Sequence, residues 1–327
     1  MTFSGVEGVM SHSANPSPTR SHRTSASVQP ANSMPRPKNI LRGLLLALAV
    51  SLAALAPQSA RAQASDIPSA APPTPAGQTD TQHGQALIDQ MIAALGGDAW
   101  LNRTSIETDG RTSAFFHGQP NPYTTDYHEL HRLAWPQSAI GAIDADRIGF
   151  LTERGMIMPG KKIDVVQIWK DGHGYEVTYK GQTDLPKDQV DDYYRRRAHS
   201  IDEVVHSWLH APGVVIVAEG ATMVERRLAD KVSILTANND AVTLELDAST
   251  HLPLRRTFQW RNPQFRDFDE EAEEYDDYHT VQGLPTPMTI TRYHNGDMSN
   301  QRYITKVVYN VPTPAPLFDP AISLHKK

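Results

Sequence analysis

Two histidine pairs are the residues of this sequence whose spacing could support metal-dependent hydrolysis. In His128-Glu-Leu-His131 the histidines are three residues apart, whereas the helical zinc-protease motif spaces them by four. The segment predicts a strand, on which His128 and His131 point to opposite faces and cannot share one metal ion. We interpret it as a surface strand with a polar edge.

The second pair, His206 and His210, is four residues apart on a predicted helix, with Glu203 one turn earlier. Their imidazole nitrogens could share a divalent ion. The sequence supplies no evident third and fourth ligand, so we expect both histidines on the solvent-exposed face opposite Trp208. We predict no metal site and no cofactor.

Eight carboxylates lie within the eleven residues from Asp267 to Asp277. The run lacks the glycine-containing loop of an EF-hand, and alternation places Phe268 and Ala272 on one face, which indicates a strand with a solvated acidic side. A surface that docks a partner protein is the alternative interpretation. Nearby arginines are expected to pair with the acidic residues across the strands: Arg255, Arg256, Arg261 and Arg266.

Other chemistry lacks support in the sequence. The chain has no cysteine, which excludes disulfides, thiolate metal sites, a cysteine nucleophile and the acylated cysteine of a lipoprotein. Downstream of residue 64 there is no G-x-S-x-G, Walker or G-x-G-x-x-G motif. We therefore predict a protein that is not an enzyme.

The first 64 residues predict an export signal. Basic residues precede an apolar run from Leu44 to Ala56, which is too short to span a bilayer, and Ala60-Arg61-Ala62 supplies small residues for cleavage after Ala62 or Ala64. We expect a periplasmic protein without stable membrane insertion, although Met34 is an alternative start. Residues 65–81, rich in Pro, Ala and Ser, predict a disordered leader.

Removal of residues 1–64 changes the charge of the chain from −6 to −11, because six of its 31 basic residues and one of its 37 acidic residues lie there. An acidic protein repels phosphate backbones, so nucleic acid is excluded as an expected partner. The remaining length suits one domain, which we place at residues 82–327.

Period-two alternation predicts ten or eleven strands in that domain, joined by turns such as Asn295-Gly296. Three helices interrupt the pattern: one ends at Gly96-Gly97, and two lie mid-chain, at about Lys187–Arg197 and after the capping box that Ser200 begins. The predicted fold class is mainly β (α+β). We expect a strongly curved antiparallel sheet that forms an incomplete barrel, with an N-terminal helix and a mid-chain helical lid.

Several motifs occur in a characteristic order: an N-terminal amphipathic helix, the turn Lys170-Asp171-Gly172 before an aromatic residue, mid-chain helices, the turn Asp247-x-x-Thr250-x-Leu252-Pro253, and Leu317-Phe318-Asp319-Pro320. This order resembles the periplasmic lipoprotein-carrier superfamily of LolA, LolB and LppX-like proteins, including outer-membrane lipoprotein-sorting-like proteins. The resemblance covers about residues 82–320. It implies a half-barrel whose concave face holds a hydrophobic ligand, such as a lipid or the acyl chains of a lipoprotein.

A carrier of this kind needs an apolar cavity, because each buried methylene contributes about 0.8 kcal/mol. An envelope protein is a second expected partner. The alternatives are a metal-dependent hydrolase that uses histidines and carboxylates, and a non-catalytic docking module of the cell envelope. The residues predicted to line the cavity are Trp135, Trp169, Tyr175, Val205, Trp208, Leu209, Phe258, Trp260, Met288 and Ile290.

Overall fold

The computed structural model describes residues 80–135, 144–153, 161–262 and 264–321. The predicted signal segment and most of the predicted leader lie outside the described residues. Thirteen strands are described: β1 Ser105–Phe116, β2 Gln119–Arg132, β3 Ala145–Glu153, β4 Lys161–Lys170, β5 His173–Thr178, β6 Gly181–Asp184, β7 Val215–Val224, β8 Arg227–Leu235, β9 Ala241–Asp247, β10 Pro253–Arg261, β11 Phe268–Val281, β12 Leu284–His294 and β13 Asp297–Tyr309.

These strands form one antiparallel sheet in the order β6-β5-β4-β3-β2-β1-β13-β12-β11-β10-β9-β8-β7. Consecutive strands are therefore neighbours in the sheet, except for β6 and β7. In addition, β1 pairs with β13 and so joins the two halves of the chain. Among the described strands, β6 and β7 are edges and do not pair with each other. The sheet is strongly curved and remains an incomplete barrel, which confirms the predicted fold class.

Two hairpin turns show where the sequence signals were sufficient to predict a turn and where they were not. Asn295 and Gly296 both have positive φ, 50° and 83°, as the Asn-Gly pair predicts. Glu225 and Arg226 also have positive φ, 45° and 70°, and they connect β7 to β8. The sequence predicted no turn there, because neither residue type favours that conformation.

Four α-helices are described: α1 Asp80–Leu95, α2 Asp98–Leu101, α3 Lys187–Ala198 and α4 Ile201–His206. Gly96, with a φ of 122°, follows α1, as expected for a helix C-terminus. At the start of α4, Ser200 Oγ accepts a hydrogen bond from the Glu203 amide at 3.2 Å, which confirms the predicted cap. Helix α4 is followed by a 3₁₀ turn, Trp208–His210, and so ends earlier than predicted.

The main core lies between the inner face of the sheet and the helices. Helix α1 places Leu87, Ile88 and Met91 against it, and α4 adds Val204 and Val205. The sheet contributes alternate residues of β7 to β10, as the period-two pattern requires: Ile216, Val232, Ile234, Val242, Leu244, Leu246 and Phe258. This packing attaches the helices to the C-terminal half of the sheet.

A second cluster lies on the outer face of β2 to β5, under the C-terminal segment. Phe318 is 1% exposed and packs there against Val166, Ile168 and Val177. The end of the chain therefore covers the face opposite the helices. No helix in the described ranges is long and apolar enough to cross a membrane.

Candidate functional site

The candidate site is the concave inner face of the sheet between β1 to β4 and β10 to β13, beneath α3 and α4. The register aligns charged residues of neighbouring strands on this face. Arg256 of β10 lies opposite Glu273 of β11, and Glu273 lies opposite Arg292 of β12. Because successive residues of a strand point to opposite faces, these charged side chains all lie on the inner face.

The first part of the site, here called the polar cavity, has a volume of about 430 Å³. Helix α3 covers it, and five arginines and three carboxylates contribute to its wall. Its charged and aromatic lining consists of Tyr127, Glu129, His131, Asp146, Phe150, Trp169, Tyr193, Arg196, Arg197, Arg256, Glu273, Arg292 and Arg302. The expectation of an apolar hollow is therefore wrong for this part of the concavity.

The second part, here called the apolar cavity, has a volume of about 320 Å³ and lies beneath α2 and the start of α4. Its apolar lining consists of Leu95, Trp100, Ile106, Ile201, Pro253, Pro285, Pro287, Ile290, Ile304 and Val307. The two cavities share the wall residues Tyr127, Glu129, His131, Ser200, Glu273 and Arg302. They are therefore adjoining parts of one concavity.

Buried ion pairs hold the charged wall in place. Arg256 is 1% exposed, lies 3.1 Å from a Glu273 oxygen and donates a hydrogen bond to the His199 carbonyl at 2.9 Å. Arg292 contacts the other oxygen of Glu273 at 3.0 Å. Burial alone raises the pKa of Glu273, but the charges of Arg256 and Arg292 outweigh burial and hold that pKa well below its usual range. Glu273 is therefore ionised.

A second network centres on Asp144, which precedes β3. One carboxylate oxygen contacts His131 at 2.9 Å, and the other contacts Arg197 at 2.5 Å. Burial raises the pKa of Asp144, but His131 and Arg197 outweigh it and lower that pKa to about 2. Burial lowers the pKa of His131, and Asp144 outweighs it, so the His131 pKa is raised.

Asp146, two residues further, has the opposite character. Burial and the charge of Glu129 raise its pKa to about 7. One of its oxygens accepts a hydrogen bond from the Tyr193 hydroxyl at 3.2 Å. The other, Oδ1, is buried and has no hydrogen-bond partner among the described residues. The polar cavity thus contains a carboxyl group that changes its protonation near neutral pH.

Helix α3 bridges the two halves of the sheet through its C-terminal arginines. Arg195 lies 4.4 Å above the ring of Trp260 on β10, Arg196 lies 3.6 Å from Glu271 on β11, and Arg197 reaches Asp144 beside β3. The helix dipole favours cations at a helix C-terminus. The contacts of these three arginines show that they also hold the helix across the concavity.

The ten predicted cavity residues occupy five different places. Trp169 lines the polar cavity, where its ring stacks on Tyr193 at 4.2 Å, and Ile290 lines the apolar cavity. Trp135 stacks on His206 at 3.7 Å, and Tyr175 packs in the outer-face cluster, away from both cavities. The other six belong to the main core or pack against it: Val205, Trp208, Leu209, Phe258, Trp260 and Met288.

The two histidine pairs considered as metal ligands lie in different surroundings in the structure. His128 and His131 do point to opposite faces: His128 contacts Asp109 at 2.7 Å, and His131 contacts Asp144. The prediction of a surface strand is nevertheless wrong for His131, which lines both cavities. The predicted solvent-exposed position of His206 is also wrong, because its ring lies against Trp135 and both ring nitrogens are within 2.9 Å of carbonyl oxygens.

The acidic run forms the start of β11, but its side chains are not simply solvated. Glu271 and Glu273 face the buried arginines of the inner face, whereas Glu274 pairs with Arg255 on the other face. The expected pairing is thus present for Arg255 and Arg256. The prediction of a solvated acidic side was wrong for Glu271 and Glu273, because the arginines of the cavity stabilise these carboxylates away from water.

Sequence reasoning missed most of the charged cavity wall. Arg292 and Arg302 lie on the adjacent strands β12 and β13. The register places Arg292 opposite Glu273, whereas Arg302 reaches across β1 to Glu129 of β2. One signal was available: Arg292 and Arg302 occupy inner-face positions of strands whose other inner-face residues are largely apolar. Charged residues in such positions indicate either a partner or a polar cavity.

A different acidic cluster lies on the outer face, where ligand atoms of Glu107, Asp109 and His128 come within 4.8 Å of one another. The Lys306 ammonium already lies 2.9 Å from Glu107 and 3.5 Å from Asp109. A lysine thus supplies the positive charge that these carboxylates require.

No family model and no curated protein matches this chain. Its structure is similar to that of a DUF1329 family protein from Desulfovibrio piger, with 10% sequence identity, a TM-score of 0.48, and coverage of 74% of this chain and 98% of that one. A putative outer membrane lipoprotein-sorting protein domain from Vibrio parahaemolyticus has 8% identity, a TM-score of 0.44, and coverage of 73% and 97%. A LolA superfamily protein from Nitrosomonas europaea has 10% identity, a TM-score of 0.41, and coverage of 72% and 97%.

Proposed function

We propose that this protein is an exported periplasmic carrier that holds a hydrophobic ligand, a lipid or an acyl chain, in the concavity of its half-barrel. The apolar cavity is the observation that carries the proposal. Its aliphatic and proline side chains lie beneath a helical cover, beside charged wall residues such as Arg103 and Glu273. Burial against the apolar side chains binds methylenes without covalent chemistry. The sequence resemblance to the lipoprotein-carrier superfamily points to the same function.

The helical cover is attached in a way that suits reversible access. Over the polar cavity, α3 is held by ion pairs and ring contacts at its C-terminal end and by the Tyr194 hydroxyl, which donates to the His173 carbonyl at 3.0 Å. Its only fully buried side chain is that of Arg197. A helix with little buried apolar surface opens at a lower free-energy cost than one in the core.

The proposal is tested by extracting the purified protein with organic solvent and analysing the extract by mass spectrometry. Acyl chains in stoichiometric amounts support the carrier. A clean extract together with a stoichiometric metal ion rejects it. Extraction of heat-denatured and refolded protein serves as the control, because refolded protein retains no cargo acquired in the cell.

A second candidate function is hydrolysis, which the buried His131–Asp144 pair on the cavity wall favours. A histidine oriented by a carboxylate is the arrangement that general bases use. Substitution of His131 by Asn separates the candidates, since it abolishes hydrolysis of an acyl ester but keeps all the apolar side chains that line the apolar cavity.

A further inference from the structure

The concavity has two chemically different parts that share a wall, and this division bears on the ligand. It adds to the proposed carrier function and rests on it. The apolar cavity offers aliphatic surface, whereas the adjoining polar cavity offers arginines and buried hydrogen-bond donors. A ligand made of hydrocarbon alone leaves the polar part unmatched, and a small ion leaves the apolar part unmatched.

The polar cavity contains hydrogen-bond donors without acceptors. Trp169 Nε1 and the Tyr127 hydroxyl belong to side chains that are 6% and 2% exposed, and neither atom has a hydrogen-bond partner among the described residues. Trp169 Nε1 is a donor only. A buried donor left unpaired costs free energy. Both side chains line the polar cavity, so an acceptor on a ligand that reaches either atom offsets that cost.

Arg196 is a further unsatisfied group on the same wall. Its guanidinium makes no hydrogen bond within the described part of the chain, and its nearest carboxylate oxygen, on Glu271, lies 3.6 Å away. By comparison, the Arg302 guanidinium makes two contacts with Glu129, at 2.9 and 3.1 Å. Arg196 therefore has several free N–H groups that suit an oxygen-rich anion.

The charge balance of the wall agrees with an anionic ligand. Five lining arginines face three lining carboxylates, and Asp144 and Glu271 lie behind the wall as further partners. One of the lining carboxylates, Asp146, has a pKa of about 7 and so carries only part of a charge at neutral pH. An added anion thus meets a wall that is slightly positive rather than neutral.

We propose that the ligand is a single-chain amphiphile whose anionic headgroup, a carboxylate or a phosphate, lies in the polar cavity beside Arg196, Trp169 and Tyr127 while its hydrocarbon chain occupies the apolar cavity. The volume sets the number of chains. About 320 Å³ lies at the lower end of the range of about 300–1,000 Å³ in which proteins bind one small molecule. A lipid with several chains exceeds it.

The proposal is tested by isothermal titration of the purified full chain, freed of bound lipid, with four probes of equal chain length. These are dodecanoate, dodecyl phosphate, dodecanol and dodecyltrimethylammonium. Dodecanoate or dodecyl phosphate is expected to bind at least about tenfold more tightly than dodecanol, as one charge-assisted hydrogen bond implies. The tighter of the two anions tells a fatty-acid carboxylate from a lipid phosphate.

Two variants locate the headgroup. Arg196→Gln is expected to reduce the affinity for the preferred anion by about tenfold without changing the affinity for dodecanol. Trp169→Phe keeps an aromatic ring beside Tyr193 and removes the N–H group together with part of the indole ring, so a smaller loss is expected, larger for the anion than for dodecanol. Lys187→Gln is the matched control, because it removes the same charge from an 86% exposed side chain of the same helix.

The outcomes separate this inference from the carrier function. Equal affinities for dodecanol and both anions, or tightest binding of the cationic probe, overturn the headgroup inference and leave the carrier standing. Unchanged anion affinity in Arg196→Gln overturns the placement of the headgroup. If none of the four probes binds, the carrier function itself fails.

Discussion

Arg197 and Asp144 form an ion pair at 2.5 Å although they are 53 residues apart in the chain. Both side chains are buried, and the pair connects the last turn of α3 to the start of β3. Asp144 also contacts His131, so a single carboxylate compensates two cationic groups. Asp144 is therefore the buried attachment point of the helical cover on the N-terminal half of the sheet.

We predict that Asp144→Asn lowers the free energy of unfolding by about 3–5 kcal/mol at pH 7, because Arg197 and His131 lose their buried counter-charge. Arg197→Met is expected to cost less, since Asp144 keeps His131 as a partner. Urea denaturation measures both values. Asp191→Asn is the control, because its pair with Lys187 is solvent-exposed and such pairs contribute little. Equal stabilities of Asp144→Asn and Asp191→Asn contradict the prediction.

The pH dependence of Asp146 gives a second prediction. Its pKa is raised from 3.8 to about 7 on folding, so the folded state binds the proton more tightly than the unfolded chain. The contribution of Asp146 to the stability therefore decreases as the pH rises from about 4 to above 7. Asp146→Asn, which keeps an acceptor for Tyr193, removes this decrease and is expected to be about 2 kcal/mol or more stabilising at pH 8.

Thermal unfolding of Asp146→Asn and the wild type at pH 5 and pH 8 checks the sign. The variant should be more stable than the wild type by a smaller margin at pH 5 than at pH 8. Asp89→Asn, on the exposed side of α1, controls for the change of net charge. A variant that is equally destabilised at both pH values shows that the buried carboxyl is not responsible.

Gly84 lies within α1, where glycine costs about 1 kcal/mol relative to alanine. A Cβ atom at this position lies 2.9 Å from the Ala218 backbone nitrogen of β7. Because backbone atoms cannot move aside cheaply, we predict that Gly84→Ala lowers the free energy of unfolding by about 1–3 kcal/mol despite its better helix propensity. Gln85→Ala, one residue further on the exposed side, should be neutral or slightly stabilising in the same urea titration.

The sequence predicted the elements of this fold better than the chemistry of its cavity. Local signals identified α1, α3, the Ser200 cap and the Asn295-Gly296 turn, because periodicity, capping and turn residues act over a few positions. The turn at Glu225-Arg226 was missed, since the pairing of β7 with β8 imposes positive φ on residues that do not favour it. Tertiary contacts decide such positions.

The cavity lining depends on register, which no single strand encodes. Tyr175 and Trp169 are both aromatic and close in sequence, yet Trp169 pairs with Gly174, so Tyr175 falls on the outer face. The sequence prediction used the aromatic residue type alone and therefore placed both side chains in the cavity. Similarly, the sequence of β11 alone predicts solvated carboxylates. Only the register shows that Arg256 and Arg292 lie opposite them across the sheet.

The last prediction concerns variants that fill the apolar cavity and leave the lining of the polar cavity unchanged. Ile290 lines the apolar cavity from β12 and is only half-buried, so Ile290→Phe adds volume where space exists and should change the stability by less than about 1–3 kcal/mol. Because the added ring occupies the space for the hydrocarbon chain, binding of dodecanol is expected to weaken at least about tenfold, the loss of two buried methylenes. Isothermal titration measures the affinity, and thermal unfolding confirms the fold.

Ile304→Phe, on the neighbouring strand of the same cavity, should behave like Ile290→Phe. Tyr303→Phe, whose side chain is exposed beside it, should bind dodecanol as the wild type does. Undiminished binding in both filled variants places the hydrocarbon chain elsewhere on the protein.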